Sequence, residues 1–345
     1  MSSTETTTEK PNLTRKDFMS DQEVRWCPGC GDYAILATIQ RTLPKLEATR
    51  ENTVFISGIG CSSRFPYYMD TYGFHTIHGR APSFATGLKV ARPELDVWLI
   101  TGDGDGLSIG GNHLLHLLRR NIDVQLLLFN NQIYGLTKGQ LSPTSIMGTT
   151  TPSSPFGSVE EPVAPAQFAI GAKARFVARG IDTSVKTLGA LFERAHAHKG
   201  TSFVEILQNC PVFNDNIFGD VTNRKTASDT QLWVEHGKPL LYGKEMNKGI
   251  RVRPGTMELE SVVVGENNIT VDDLLVHDEK NRVLAFMLAE LAFPAFPVAF
   301  GVLFCDPAEL PYEAAVKAQA EAVIASRGAG DFDALLRQGH TWQVD

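Results

Sequence analysis

Five short, nearly uninterrupted apolar runs, each set between helical patterns, constrain the fold of this 345-residue chain more than any other feature. They are Val54-Phe55-Ile56, Val97-Trp98-Leu99-Ile100, Val124 to Phe129, Phe176-Val177-Ala178 and Phe203-Val204-Glu205-Ile206-Leu207. The stretches 34–43, 83–91, 114–118, 166–174 and 187–197 carry helical patterns. A strand apolar at every position must be covered on both faces, as in sheets built from strand–helix–strand units. The pattern therefore predicts an α/β fold with a mostly parallel sheet covered by helices.

Such sheets bind ligands beyond the carboxyl ends of their strands. Three runs end in glycine or short polar residues: Ser57-Gly58-Ile59-Gly60-Cys61, Thr101-Gly102-Asp103-Gly104-Asp105-Gly106 and Asn130-Asn131-Gln132. Residues 141–165, rich in Ser, Thr, Pro and Gly, read as a long loop, which in a compact domain is often functional. The expected division is a flexible tail over 1–20, a ligand-binding domain over 21–214, and an extension over 215–345 that packs on the core or on a partner subunit.

Other classes are excluded by composition. Net charge is −7 with no long basic run, which gives nucleic-acid binding little electrostatic support. No segment approaches ~18 uninterrupted apolar residues, so no transmembrane helix is expected. The opening MSSTETTTEK is not a secretory signal, and a cytoplasmic location is expected. In a reducing compartment, five cysteines argue for metal binding or catalysis over structural disulfides.

Asp103 follows a buried strand and stands between two glycines; Asn131 follows another, 28 positions on. Mg²⁺ takes oxygen ligands and commonly shares them with phosphates. Glycine lets the backbone approach a diphosphate, and a helix start can donate N–H groups to it. A lone Gly-Asp-Gly is most often a tight turn; the downstream Asn-Asn changes that reading.

Cys27 and Cys30 lie in Trp-Cys-Pro-Gly-Cys-Gly at 26–31, a spacing that lets two thiolates reach one metal centre. Cys61 and Cys210 each follow a strand. Four thiolates suit a [4Fe–4S] cluster or a structural zinc, and a redox disulfide at Cys27/Cys30 is a third reading. Cys305, in an apolar run, reads as a small core residue.

The Gly-Asp-Gly…Asn-Asn pattern resembles the thiamine diphosphate motif. With Gly-Ile-Gly-Cys-Ser at 58–62, His-Gly-Arg at 78–80, Asn-Asn-Gln-Ile-Tyr-Gly-Leu-Thr-Lys-Gly-Gln at 130–140, the Cys27/Cys30 motif and Cys-Pro at 210–211, the chain resembles the beta subunits of 2-oxoacid:ferredoxin oxidoreductases over about 24–215. The resemblance implies thiamine diphosphate, with Mg²⁺ on Asp103, Asn131 and the carbonyl of Ile133. Gly104, Asp105, Gly135 and Leu136 would lie along the diphosphate, and Ile59, Gly60, Cys61, Ser62, His78, Gly79 and Arg80 would contact the cofactor. It implies one [4Fe–4S] cluster on Cys27, Cys30, Cys61 and Cys210.

It further implies CoA-dependent oxidative decarboxylation of 2-oxoglutarate to succinyl-CoA and CO₂, or the reverse, with electrons passed to ferredoxin. Lys138, with His78 and Arg80, would be the catalytic group, its ammonium facing a substrate carboxylate. A lysine there is more like the 2-oxoglutarate and broad-specificity members than the pyruvate-specific ones. It also implies an alpha subunit with the pyrimidine-binding domain, in a dimer of alpha–beta heterodimers. The open alternatives are a pyruvate or broad-specificity enzyme, and a non-oxidative thiamine-dependent decarboxylase with structural zinc. His113, His116, His196 and His198 are expected to be structural or exposed.

Overall fold

The computed structural model describes residues 13–344. Among the described residues are eleven strands: β1 (Thr53–Ser57), β2 (Tyr72–His75), β3 (Asp96–Gly102), β4 (Gln125–Asn130), β5 (Phe176–Ile181), β6 (Ser202–Leu207), β7 (Gln231–Val234), β8 (Leu241–Tyr242), β9 (Lys248–Val252), β10 (Leu259–Val263) and β11 (Val298–Cys305). Eight form one sheet in the order β2-β1-β3-β4-β6-β5-β11-β7. The first six run parallel; β11 is antiparallel to β5, and β7 is parallel to β11. The sheet is mostly parallel, as the continuous apolar runs require.

The helices that place the site are α1 (Asp32–Thr42), α2 (Ala81–Ala91), α3 (Asp103–Leu107), α4 (Gly111–Arg120), α5 (Pro165–Gly171) and α6 (Val185–Ala197). The two-residue period of a strand explains the layering. Val97, Leu99, Leu126 and Leu128 face one core, shared with Ala81, Ala85, Leu114, Leu117 and Ala169 of α2, α4 and α5. Trp98, Ile100, Leu127 and Phe129 face the other, shared with Ile35, Ile39, Leu188 and Phe192 of α1 and α6. Strands β1 and β3 to β6 are buried on both sides because each side has its own helical layer.

Beyond Cys210 the chain does not form a separate layer. Two of its strands, β7 and β11, extend the main sheet, while β8, β9 and β10 form a small antiparallel sheet. At the other end, the tail expected over 1–20 differs from the structure. Residues 1–12 lie outside the described residues, but Arg15–Phe18 form a 3₁₀ turn that buries Phe18 completely, and Met19 bridges to Met69. Burial of the large Phe18 side chain offsets part of the chain entropy lost in fixing this segment. Among the described residues, no helix is long and apolar enough to cross a membrane.

Candidate functional site

Because six strands run the same way, their carboxyl ends share one edge of the sheet. The segments that leave this edge carry Gly58–Ser62 after β1, Thr76–Arg80 after β2, Asp103 after β3, Asn131–Gln140 after β4, Asp182 after β5 and Gln208–Pro211 after β6.

Asp105 ties three of these segments together. Its Oδ1 accepts from the Ile59 amide at 3.2 Å and the Gly79 amide at 2.7 Å, and its Oδ2 accepts from the Thr101 hydroxyl at 2.9 Å. Burial pushes its carboxyl above the usual range, and these donors act against that rise. Glycine is required beside it, since a Cβ on Gly58 would collide with the Asp105 carboxylate. A Cβ on Gly104 would likewise strike the Tyr134 ring, whose hydroxyl donates to the Gly104 carbonyl at 3.0 Å.

These segments enclose a cavity lined by Ile59, Gly60, Cys61, Ser62, His78, Asp103, Gly104, Asp105, Asn131, Ile133, Gly135 and Leu136, together with Gly102, Phe129, Tyr134 and Thr137. Twelve residues singled out in the sequence therefore meet at one place. Asp103 is buried, which raises its carboxyl above the usual range, and its Oδ2 accepts from Ser142 and Thr144 at 2.6 Å each. Asn131 Oδ1 accepts from the Ile133 amide at 3.2 Å. The Ile133 carbonyl accepts no hydrogen bond among the described residues. A buried carboxylate, an amide and an unused carbonyl are the oxygen donors that Mg²⁺ takes, so the residues present fit that ion and a diphosphate beside it.

Three expected contacts stand outside this lining. The Gly79 amide is used by Asp105. The Arg80 guanidinium turns to the carbonyls of His78 and Ile109, at 3.2 and 3.3 Å, so it braces the His78 loop. Lys138 is exposed, has φ +77°, and its side chain has no partner among the described residues; its neighbours Leu136 and Thr137 line the cavity.

A second cavity, of about 180 Å³, is lined by Cys27, Cys30, Cys61 and Cys210 with Arg25, Trp26, Asp32, Arg64, Gln208, Pro211 and Phe213. The cysteine-bearing segments are tied to one another. Trp26 Nε1 donates to the Cys61 carbonyl at 2.7 Å, and the Gly31 amide donates to the Asn209 carbonyl at 3.2 Å. Gly29, at φ +84°, closes the Cys27–Cys30 turn in a region that favours glycine. A Cβ on Gly135 would lie 3.5 Å from the Cys210 sulfur and 3.7 Å from the Cys61 sulfur.

Burial and the Asp32 carboxylate raise the Cys30 thiol, and the same causes push Cys61 up to about 12. A cationic metal reverses this balance, because thiolate ligation discharges the proton. Among the described residues, no three His, Cys, Asp or Glu side chains converge on a point that one metal ion would occupy. The thiols instead stand around the walls of a larger volume. Cys305 lies elsewhere, in β11.

Several groups here gave no sequence signal. Ser142 and Thr144 reach Asp103 from within a loop whose composition marks only its length. Gln208 is almost fully buried and touches Asn131, which lines the first cavity, and Cys30, which lines the second. Asp32 is buried against the second cavity with both carboxylate oxygens unpaired, and burial pushes its carboxyl up to about 7.

The two cavities share a wall made of Cys61, Asn131, Gly135 and Leu136. Groups bound in the two cavities would be separated by this one wall.

Comparisons with known proteins agree with this geometry. Residues 58–206 match the family model described as the C-terminal thiamine pyrophosphate-binding domain of thiamine pyrophosphate enzymes. The chain is 48% identical over 343 residues to the 2-oxoglutarate oxidoreductase subunit KorB of Mycobacterium tuberculosis, covering 98% of this chain and 90% of that one. It is 46% identical over 190 residues to the beta subunit of 2-oxoacid:ferredoxin oxidoreductase 1 of Aeropyrum pernix, covering 55% of this chain and 60% of that one. Among solved structures, it matches a 2-oxoglutarate:ferredoxin oxidoreductase from Magnetococcus marinus with 2-oxoglutarate, coenzyme A and succinyl-CoA bound. The TM-score is 0.75 at 30% identity, over 97% of this chain and 98% of that one.

Proposed function

The chain belongs to the family of 2-oxoacid:ferredoxin oxidoreductase beta subunits, and from that premise we propose that it holds the diphosphate, the magnesium ion and the electron exit of a 2-oxoglutarate:ferredoxin oxidoreductase. It is an oxidoreductase subunit that acts with partner subunits. The observation that carries the proposal is the wall of Cys61, Asn131, Gly135 and Leu136, which separates an oxygen-donor cavity from a four-thiol cavity.

Asp103, Asn131 and the Ile133 carbonyl would hold Mg²⁺ against the diphosphate. Cys27, Cys30, Cys61 and Cys210 would hold one [4Fe–4S] cluster. When bound, thiamine diphosphate supplies the carbon nucleophile that attacks the 2-oxo group, and the cluster is a one-electron carrier. The chain's own residues bind and orient. Asp105 ties down the loops that carry Ile59 and Gly79 through their amides, Arg80 braces the loop that presents His78, and Tyr134 holds the Gly104 turn.

Lys138 stands free at the rim, where its ammonium can meet the distal carboxylate of 2-oxoglutarate. This favours 2-oxoglutarate over pyruvate, which lacks that carboxylate. Lys138→Ala is expected to raise KM for 2-oxoglutarate and to leave KM for pyruvate, where it is turned over, unchanged. Equal effects on both acids would remove Lys138 from substrate selection.

The oxygen-donor cavity is only about 70 Å³, against roughly 300–1,000 Å³ for a pocket that encloses a small-molecule ligand. Its size supports a half-site closed by an alpha subunit bearing the pyrimidine-binding domain, in a dimer of alpha–beta heterodimers. Ferredoxin would accept the electrons and coenzyme A the acyl group. The decisive experiment is iron, acid-labile sulfide and zinc analysis of the anaerobically purified complex, with electron paramagnetic resonance after reduction. About four iron and four sulfide per chain, the composition of one [4Fe–4S] cluster, are expected; zinc without iron would defeat the redox reading in favour of a non-oxidative decarboxylase.

A further inference from the structure

Gln208 follows the end of β6 and is 1% exposed. Its side-chain amide has one acceptor oxygen and two N–H donors, and both ends are engaged. Oε1 accepts from Asn131 Nδ2 at 2.9 Å. Nε2 donates to Cys30 Sγ at 3.2 Å and to the Asn209 carbonyl at 2.6 Å. Reversing the amide would set its oxygen against a sulfur and a carbonyl, and its NH₂ against the NH₂ of Asn131, so its orientation is fixed. Gly31 makes the approach possible, since a Cβ there would sit 2.9 Å from Gln208 Cγ and collide with the Asp182 carboxylate.

We propose that Gln208 is a positioning residue that links the two cofactor sites, tuning the cluster through its hydrogen bond to Cys30 and fixing the Asn131 amide for the magnesium–diphosphate side. The inference rests on the ligand assignments made above for Cys30 and Asn131. Hydrogen bonds to cluster sulfurs help set the reduction potential, because an N–H dipole stabilises the extra negative charge of the reduced state. On the other side, engagement of Asn131 Nδ2 dictates which atom of that amide remains for the metal. Residues that orient metal ligands in this way affect affinity by about 10–100-fold.

The two ends of Gln208 can be tested separately. Gln208→Leu removes both. Gln208→Glu keeps an oxygen for Asn131 but, when ionised, places an acceptor where the donor to Cys30 stood. The measurements are made on the assembled, anaerobically purified holoenzyme at alkaline pH. They are iron content, the cluster midpoint potential by redox titration followed by electron paramagnetic resonance, and the Kd of thiamine diphosphate with Mg²⁺ by calorimetry.

Wild-type iron content is expected in both variants, with the midpoint shifted to more negative potential in both. The Kd should rise about tenfold in Gln208→Leu and stay at the wild-type value in Gln208→Glu. Unmoved potentials, or equal weakening of thiamine diphosphate by the two variants, overturn the inference while leaving the assignment of function intact. Loss of iron from either variant would make Gln208 an assembly residue and overturn a tuning role. A wild-type holoenzyme without iron would overturn the function and this inference together.

Discussion

Thr144 Oγ1 lies 2.6 Å from Asp103 Oδ2, on the same carboxylate oxygen that accepts from Ser142. It also lies 3.1 Å from Asn130 Oδ1, but a hydroxyl has one proton, and the shorter contact to the carboxylate takes it. The long Ser- and Thr-rich loop thus helps hold the buried Asp103 carboxylate in place. Thr144→Val preserves shape and removes the donor. It is expected to weaken thiamine diphosphate binding in the presence of Mg²⁺ by about tenfold and to destabilise the fold by about 1–3 kcal/mol. Calorimetric titration and urea unfolding check the two parts; unchanged affinity would reduce Thr144 to a loop contact.

A second buried link leads from the same region across the sheet. Asn130 Nδ2 donates to Glu205 Oε1 at 2.8 Å, and Arg179 Nε donates to Glu205 Oε2 at 2.8 Å from the directly opposed position on β5. Both charges are almost wholly buried. Removing one partner strands the other in a medium of low polarity. Glu205→Leu is expected to cost about 3–5 kcal/mol, and Arg179→Met/Glu205→Leu distinctly less, because the pair leaves together. Denaturant midpoints of the single and double variants measure the difference, and additive losses would show that the ion pair is not the coupled unit.

The central sheet was legible because both its faces are covered, which leaves a nearly unbroken apolar run such as Val97-Trp98-Leu99-Ile100 at β1 and at β3 to β6. The ligand edge was legible for a related reason, since Gly104 and Gly135 stand where a Cβ would meet a ring or the cysteine sulfurs. Other features leave no such mark. β2 is exposed and short, and the strands beyond Cys210 are recruited to the main sheet by long-range pairing that no local periodicity records. Gln208, Thr144 and Glu205 act through side-chain orientation across loops and strands far apart in the chain. The family resemblance implies Arg80 at the cofactor, whereas its guanidinium donates to the carbonyls of His78 and Ile109, a side-chain orientation that no sequence motif records.

The five cysteines divide by location. Cys305 is buried in β11, where burial raises its thiol, and it shares no cavity with the other four. Cys305→Ala is therefore expected to retain the iron of the wild-type complex. Cys61→Ala removes a lining thiol from the wall between the cavities, and its complex should lose most of its iron and the visible absorption that accompanies it. Iron and sulfide assays on both complexes check the prediction. Retention of iron by Cys61→Ala, or its loss from Cys305→Ala, would contradict the ligand set.

His198 gives a pH dependence that does not involve either cofactor. It is 5% exposed, neither ring nitrogen has a hydrogen-bond partner, and the ring lies 5.4 Å from that of Phe176. Burial depresses its pKa from 6.5 to about 4. The folded state therefore holds the imidazole neutral at pH values where the unfolded chain would protonate it. The unfolded state binds more protons over this range, so stability rises with pH there. The stabilisation relative to the protonated form is present above about pH 6.5 and is lost as pH falls through that value towards about 4. His198→Phe removes the titration and keeps a ring against Phe176. Its urea midpoint should fall less steeply than that of the wild type between pH 6.5 and 4. Parallel curves for the two proteins would show that other groups carry the acid sensitivity of the fold.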